Sequence, residues 1–338
     1  MHVAVRADGG PSLGYGHLVR TSALATRLLV AGHEVTYATT TPDPIRDDCP
    51  DGVETVVLPD RADPAPFVEW LETARPDVVF TDTYPVDTDY QRAIREHVSL
   101  VVLQDDSRHA VCADAFVNGN LYADDLDYEF VGGEPRTCLG PDYALLRDDI
   151  SRLAADDPPW RGRAERALVT MGGSDVAEVT PTAIRAFDGT ALRVEAVVGP
   201  GFSEQQECEV RGAARDISTV VEVVRDPPDL PERMFRADFA VSTASTTTYE
   251  LLALGTPIVS CPVVDNQSLI AQALEARDSA LVLERDDDEA AFGRAIETYV
   301  TDPELRRTHR ERGRELVDGQ GAERVAQVLC DVVDASSP

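Results

Sequence analysis

The sequence predicts an α/β protein in two halves, each a parallel sheet covered by helices on both faces. Three observations carry that expectation. Short apolar runs alternate with amphipathic ones through most of the 338 residues. A strand, a glycine-rich loop and a helix start occur twice, first around Asp8 to Arg20 and again around Arg166 to Phe187. Between the halves, from Asp148 to Arg163, the periodicity fades into acidic residues, Pro158-Pro159 and arginines, a linker composition. A chain of this length is too long for one ordinary core and suits two domains.

In order, strands are expected at 2–6, 34–39, 53–58, 77–81 and 98–103, with helices at 18–30, 66–74 and 89–97. That gives a Rossmann-like domain over residues 1–150. A linker at 151–163 follows, then a second such domain over 164–320, with strands at 166–170, 192–198, 219–224, 238–242, 257–261 and 280–283. The tail from Asp302 to Val333 reads as two amphipathic helices broken at Asp318-Gly319-Gln320-Gly321.

Composition narrows the function classes. The chain carries 61 acidic against 31 basic residues, a net charge of −30, and no lysine. The acidic residues are spread throughout, as on salt-adapted surfaces, so nucleic acid is not an expected partner. No apolar run reaches the ~20 residues of a membrane span, and no signal-like segment leads the sequence, so a cytoplasmic protein is expected. The six cysteines form no Cys-x-x-Cys pair or Cys/His cluster, which argues against structural zinc. Oligomeric state is not legible.

In Gly14-Tyr15-Gly16-His17-Leu18-Val19-Arg20 the glycines allow close approach of a ligand to backbone at a helix start. His17 sits at the positive end of that helix, where the dipole favours a neutral imidazole able to accept a proton. It reads equally as a polar residue beside a turn. Gly14, Gly16 and Arg20 are taken with it as substrate-side residues. Asp82-Thr83-Tyr84 and Gln104-Asp105-Asp106 end the fourth and fifth strands, where ligands of such sheets bind; the aspartates alternatively cap turns. Asp87 and Asp89 are read as helix-capping residues and not as a metal pair.

In the second half, Gly172, Gly173 and Ser174 form the corresponding loop. Ser245, Thr246 and Thr247 begin a helix whose hydroxyls and N–H groups suit a phosphate. Glu250, one turn on, could hold a ribose diol, although a Ser/Thr cap followed by a dipole-favourable Glu accounts for the same residues. Asn266 and Gln267 open a further helix toward the same edge.

The ordered set GYGHLVR (14–20), TDTY (81–84), LGPDYALLR (139–147), MGGSD (171–175), STASTTTYELLALGTP (242–257) and DNQ (265–267) resembles the UDP-sugar hydrolases of pseudaminic acid biosynthesis. That family is in turn similar to the glycosyltransferase that adds N-acetylglucosamine in peptidoglycan synthesis. The resemblance covers nearly the whole chain. It implies a GT-B fold, two Rossmann-like domains with parallel sheets facing a central cleft, and a helix at 321–338 returning to the first domain. It further implies His17 as the base that activates water, Tyr84 and Asn266 as catalytic-site polar residues, and 172–175 with 243–250 as the nucleotide side. No metal or other cofactor is implied. The implied reaction releases UDP and a free sugar from UDP-2,4-diacetamido-2,4,6-trideoxy-β-L-altrose. One departure is Ala244-Ser245, where relatives often have glycine. A glycosyltransferase using a sugar or lipid-linked acceptor, and a non-catalytic nucleotide-sugar sensor, are the competing readings.

Overall fold

The computed structural model describes residues 1–10 and 13–336; the side chains of Asp48 and Asn266 lie outside that description. The chain divides into two units, one made of 1–148 with 320–338 and the other of 149–319.

The first unit runs β1 (His2–Ala7), α1 (Gly16–Val30), β2 (Glu34–Thr39), α2 (Pro42–Asp48), β3 (Glu54–Val57), α3 (Ala65–Ala74), β4 (Val78–Asp82), α4 (Thr88–Arg95), β5 (Ser99–Leu103), β6 (Ala115–Asn118) and β7 (Arg136–Leu139). Its sheet is parallel in the order β3-β2-β1-β4-β5-β6-β7. Strand order reverses between β1 and β4, where Ala7 lies opposite Asp82. The crevice at such a reversal is where open α/β sheets bind ligands. Strands β6 and β7 were not anticipated: each is four residues long, too short for a period to register, and no α-helix precedes either.

The second unit opens with α5 (Asp148–Ala154), then β8 (Arg166–Thr170), α6 (Thr180–Arg185), β9 (Arg193–Val198), α7 (Glu204–Asp216), β10 (Val220–Arg225), α8 (Leu230–Arg236), β11 (Phe239–Thr243), α9 (Thr246–Ala253), β12 (Ile258–Cys261), α10 (Ser268–Ala276), β13 (Leu281–Val282), α11 (Glu289–Thr301) and α12 (Pro303–Leu316). Its sheet order is β10-β9-β8-β11-β12-β13, again parallel.

Residues 151–163, expected to be a linker, belong to the second unit. They begin inside α5 and are strapped to α12 by three arginines spaced one helical turn apart. Arg306 donates to the carbonyls of Arg161 and Gly162, Arg310 to Pro158 and Pro159, and Arg314 to Asp156 and Ala154. Trp160 lies under the guanidiniums of Arg306, Arg307 and Arg310 at 5.0–5.6 Å. Proline and charge signal broken periodicity, but backbone carbonyls can still be satisfied by side chains.

The final helix, α13 (Gly321–Ser336), belongs to the first unit. Val325, Val328, Leu329 and Val332 join Val3, Val5, Leu24, Leu28 and Val101 in one apolar cluster. Its entry is tight: a Cβ on Gly321 would stand 2.1 Å from the Ala144 carbonyl oxygen, and one on Gly119 would stand 2.8 Å from the Ala144 nitrogen. Gly321→Ala is therefore expected to destabilise by about 1–3 kcal/mol despite a helix-propensity gain of ~1 kcal/mol. Gly212→Ala, inside α7 with open space around it, is expected to stabilise. Thermal melts of the two variants moving in the same direction would refute this packing account.

Candidate functional site

The loop after β1 closes on itself. Gly10 and Gly14 exchange backbone hydrogen bonds at 3.0 and 2.8 Å, so the Gly14 N–H is already committed and cannot cradle an anion. Gly14 takes φ +87°, a left-handed conformation that suits glycine. Helix α1 then begins at Gly16 and places His17 in its first turn.

His17 is oriented by a carboxylate as well as by the helix start. Its Nδ1 lies 2.7 Å from Asp82 Oδ1. Asp82 is buried, and burial alone would raise its carboxyl; Arg20 and then His17 outweigh that and hold it down to about 2. A close contact with an ionised carboxylate requires a proton on Nδ1, so in the neutral ring Nε2 carries the lone pair. Nε2 makes no hydrogen bond among the described residues.

Arg20 brackets Asp82, with Nε on Oδ2 and Nη2 on Oδ1, each at 2.5 Å, and its Nη1 reaches Asp105 Oδ1 at 2.8 Å. Its Nη2 also lies 3.0 Å from His17 Nδ1. The guanidinium expected on the substrate side thus lies between two carboxylates. Asp105 is fixed in turn by Asn120 Nδ2 at 2.9 Å, and its carbonyl accepts from the Tyr122 hydroxyl at 3.0 Å.

Tyr84 meets the His17 ring edge to face at 5.0 Å, with the Arg108 guanidinium 4.3 Å over its own ring. Arg108 is held by Asp106. A pocket lined by His17, Asp82, Tyr84, Asp105, Arg108 and His109 lies against this group. Asn120, Tyr122, Arg108 and His109 were missed from sequence. The first two follow an unrecognised strand, and the others sit in a polar loop without a distinguishing motif.

Asp87 caps α4 by accepting from the Asp89 and Tyr90 amides, while Asp89 pairs with Arg92. Among the described residues no group of three or more His, Cys, Asp or Glu is placed to hold a metal.

In the second unit, Gly172 adopts φ +79° and lies against the start of α9: a Cβ there would meet Ser245 Oγ and Thr247 Oγ1, each at 3.7 Å. The Gly173 carbonyl accepts from the Gly201 N–H at 2.8 Å. Ser174 follows on this loop, and Asp175, buried, accepts from Val179 and Thr180 at the start of α6. Thr248 Oγ1 accepts from the Ser245 N–H at 3.2 Å, leaving Thr246 and Thr247 in the first turn of α9. The structure therefore brings Gly172 together with Ser245 and Thr247.

Glu250 is only 4% exposed, less open than a ribose contact would lead one to expect. The Gln267 side-chain Oε1 accepts from the Val263 N–H at 2.8 Å, so half of that amide is spent on its own loop. The side chain of Asn266 lies outside the described residues.

Whole-chain similarity identifies the architecture. The structure superposes on Acinetobacter baumannii MurG with a TM-score of 0.69, at 15% identity and covering 98% of this chain and 99% of that one. CalG4, the calicheamicin glycosyltransferase, gives 0.67 at 16% identity over 99% of each chain. The fold is GT-B.

No family model matches the chain. Among sequences, the GT-B chain is 25% identical over 344 residues to the spore coat polysaccharide biosynthesis protein SpsG of Bacillus subtilis, covering 99% of each. A UDP-2,4-diacetamido-2,4,6-trideoxy-beta-L-altropyranose hydrolase of Campylobacter jejuni is 24% identical over 185 residues, 53% of this chain and 63% of that one. The expected relationship is therefore present, but distant and partial.

Asp82→Asn is expected to lower stability at pH 7 by about 3–5 kcal/mol, the usual cost of breaking a buried ion pair. The folded-state carboxyl is held below its ordinary value of 3.8, so its contribution is present above that pH and is lost as pH falls toward 2. Urea melts of the variant should weaken less than the parent's across that window. Parallel pH dependence would show that Asp82 makes no such contribution.

Proposed function

We propose that the chain is a UDP-sugar hydrolase, with the first unit supplying a general base and the second holding UDP. The observation that carries this reading is the His17–Asp82 pair: a pinned Nδ1 proton leaves an uncommitted Nε2 beside a pocket at the strand-order reversal. Nε2 takes a proton from water as the water oxygen bonds to the anomeric carbon. The bond from that carbon to the diphosphate oxygen breaks, and UDP departs with the electron pair. Asp82 stabilises the imidazolium that forms. Attack opposite the leaving group inverts the anomeric centre.

The 172–174 loop and the first turn of α9 would take the diphosphate, since helix N-terminal amides stabilise the charge developing on a leaving group without a metal. Glu250 would take the ribose once its surroundings open, and Tyr84, Asn266 and Gln267 would contact the sugar. Water is favoured over a lipid-linked acceptor by the surface of the first unit. There, Val30, Val57 and Tyr84 are the exposed large apolar side chains among the described residues, and only Tyr84 lines the pocket. The likeness to a Campylobacter sugar-nucleotide hydrolase supports the same reading, and on this proposal the reaction belongs to pseudaminic acid or surface-polysaccharide biosynthesis in the cytoplasm. Transfer to an acceptor is the second reading, favoured by the whole-chain likeness to a glycosyltransferase.

Incubating the protein at high salt with UDP-diacetamido-trideoxy sugars and UDP-N-acetylglucosamine, with and without acceptors, separates the two. Release of UDP and free sugar without an acceptor supports hydrolysis; release only with one supports transfer. His17→Asn should lower turnover by about 10²–10⁴-fold with UDP affinity nearly intact. Turnover at the parental rate, or a first-formed sugar of retained configuration, would remove His17 from this role.

A further inference from the structure

We infer that Arg20 and Asp105 are positioning residues that set the charge state of the base through a chain of ion pairs, Asp105–Arg20–Asp82–His17. The inference rests on His17 being the base. Its geometry is continuous: Asp105 Oδ1 to Arg20 Nη1 is 2.8 Å, Arg20 to both Asp82 oxygens 2.5 Å, and Asp82 Oδ1 to His17 Nδ1 2.7 Å. The far end is anchored, since Asn120 Nδ2 donates to Asp105 Oδ1 at 2.9 Å and to Asn118 Oδ1 at 2.7 Å. The chain therefore links the C-terminal ends of β4, β5 and β6 to the first turn of α1.

Consider the charges. Two carboxylates and one guanidinium leave the chain at −1 while His17 is neutral, and a proton on His17 brings it to zero. Tyr84, Arg108 and His109 also line the pocket, and Asp106 is paired with Arg108. None of these belongs to the chain. A guanidinium bracketing both oxygens of a carboxylate fixes its plane as well as its charge, which a lysine cannot do. Arg20 therefore both aims Asp82 Oδ1 at Nδ1 and keeps Asp82 from adding an unbalanced charge.

Changing the two outer members should move His17 in opposite directions. Arg20→Gln leaves the chain at −2 and should raise the pH at which His17 takes up its proton by about one unit; Asp105→Asn leaves it at zero and should lower that pH by a similar amount. Arg20→Lys restores the charge and should return the midpoint toward the parent's, while loosening the fixed Nδ1–H tautomer.

The test uses the full chain with ¹⁵N-labelled histidine, assigning the His17 ring signals through His17→Gln and following midpoint and tautomer by NMR. Opposite shifts, with recovery in Arg20→Lys, support the inference. Midpoints unmoved, or moved in the same direction in both variants, overturn it. Should Arg20→Gln fail to fold, as thermal melts would show, the direction of the Asp105→Asn shift decides. No substrate enters this experiment. Failure to turn over UDP-sugars would thus sink the hydrolase reading while leaving the ion-pair chain standing, and unshifted midpoints would do the reverse.

Discussion

Taking the Asp82 carboxylate out of water is the cost around which the first unit is arranged. An ionised group there must be matched by charge and hydrogen bonds, or it would give up its charge. Arg20 supplies the match from one turn along α1. Arg20 is itself partly buried and needs Asp105, which needs Asn120. The order of the sheet makes this match possible: β1, β4, β5 and β6 are neighbours, so the residues at their ends can share one ion-pair chain. His17 benefits from an arrangement that the carboxylate already demands.

A similar economy operates beneath it. Asp8, at the end of β1, is buried with Arg6 at 2.8 Å and accepts from the Thr40 amide at 2.7 Å. Burial opposes its charge, and Arg6 together with the Thr40 hydrogen bonds outweighs it, keeping the carboxyl below its ordinary range. With no lysine in the sequence, all 31 of its permanently charged basic side chains are arginine. The planar fork can bridge two acceptors at once, which a point charge on a flexible stem does less well.

The repeating strand and helix pattern made both parallel sheets legible in the sequence, and the two glycine loops marked both strand-order reversals. His17, Asp82 and Asp105 were visible because each sits at a strand end or helix start. The partnership among them was not. It depends on Arg20 turning inward from a position whose local pattern allows either face, and on Asn120 following the four-residue strand β6. Gly14 shows the opposite error: a glycine-rich loop promised free amides, but the pairing with Gly10 consumes one of them. Residues 151–163 looked unstructured because the groups holding them, Arg306, Arg310 and Arg314, lie about 150 positions later.

Helix α13 also bears on the order in which the units are completed during synthesis. The second unit is contiguous, from 149 to 319, whereas the first leaves one face of its sheet without Val325, Val328, Leu329 and Val332 until residues 321–336 emerge from the ribosome. Domains usually finish in the order in which they are made. Here the half translated first is the last to close, and an incomplete chain ending before 321 exposes apolar surface on the unit that carries His17.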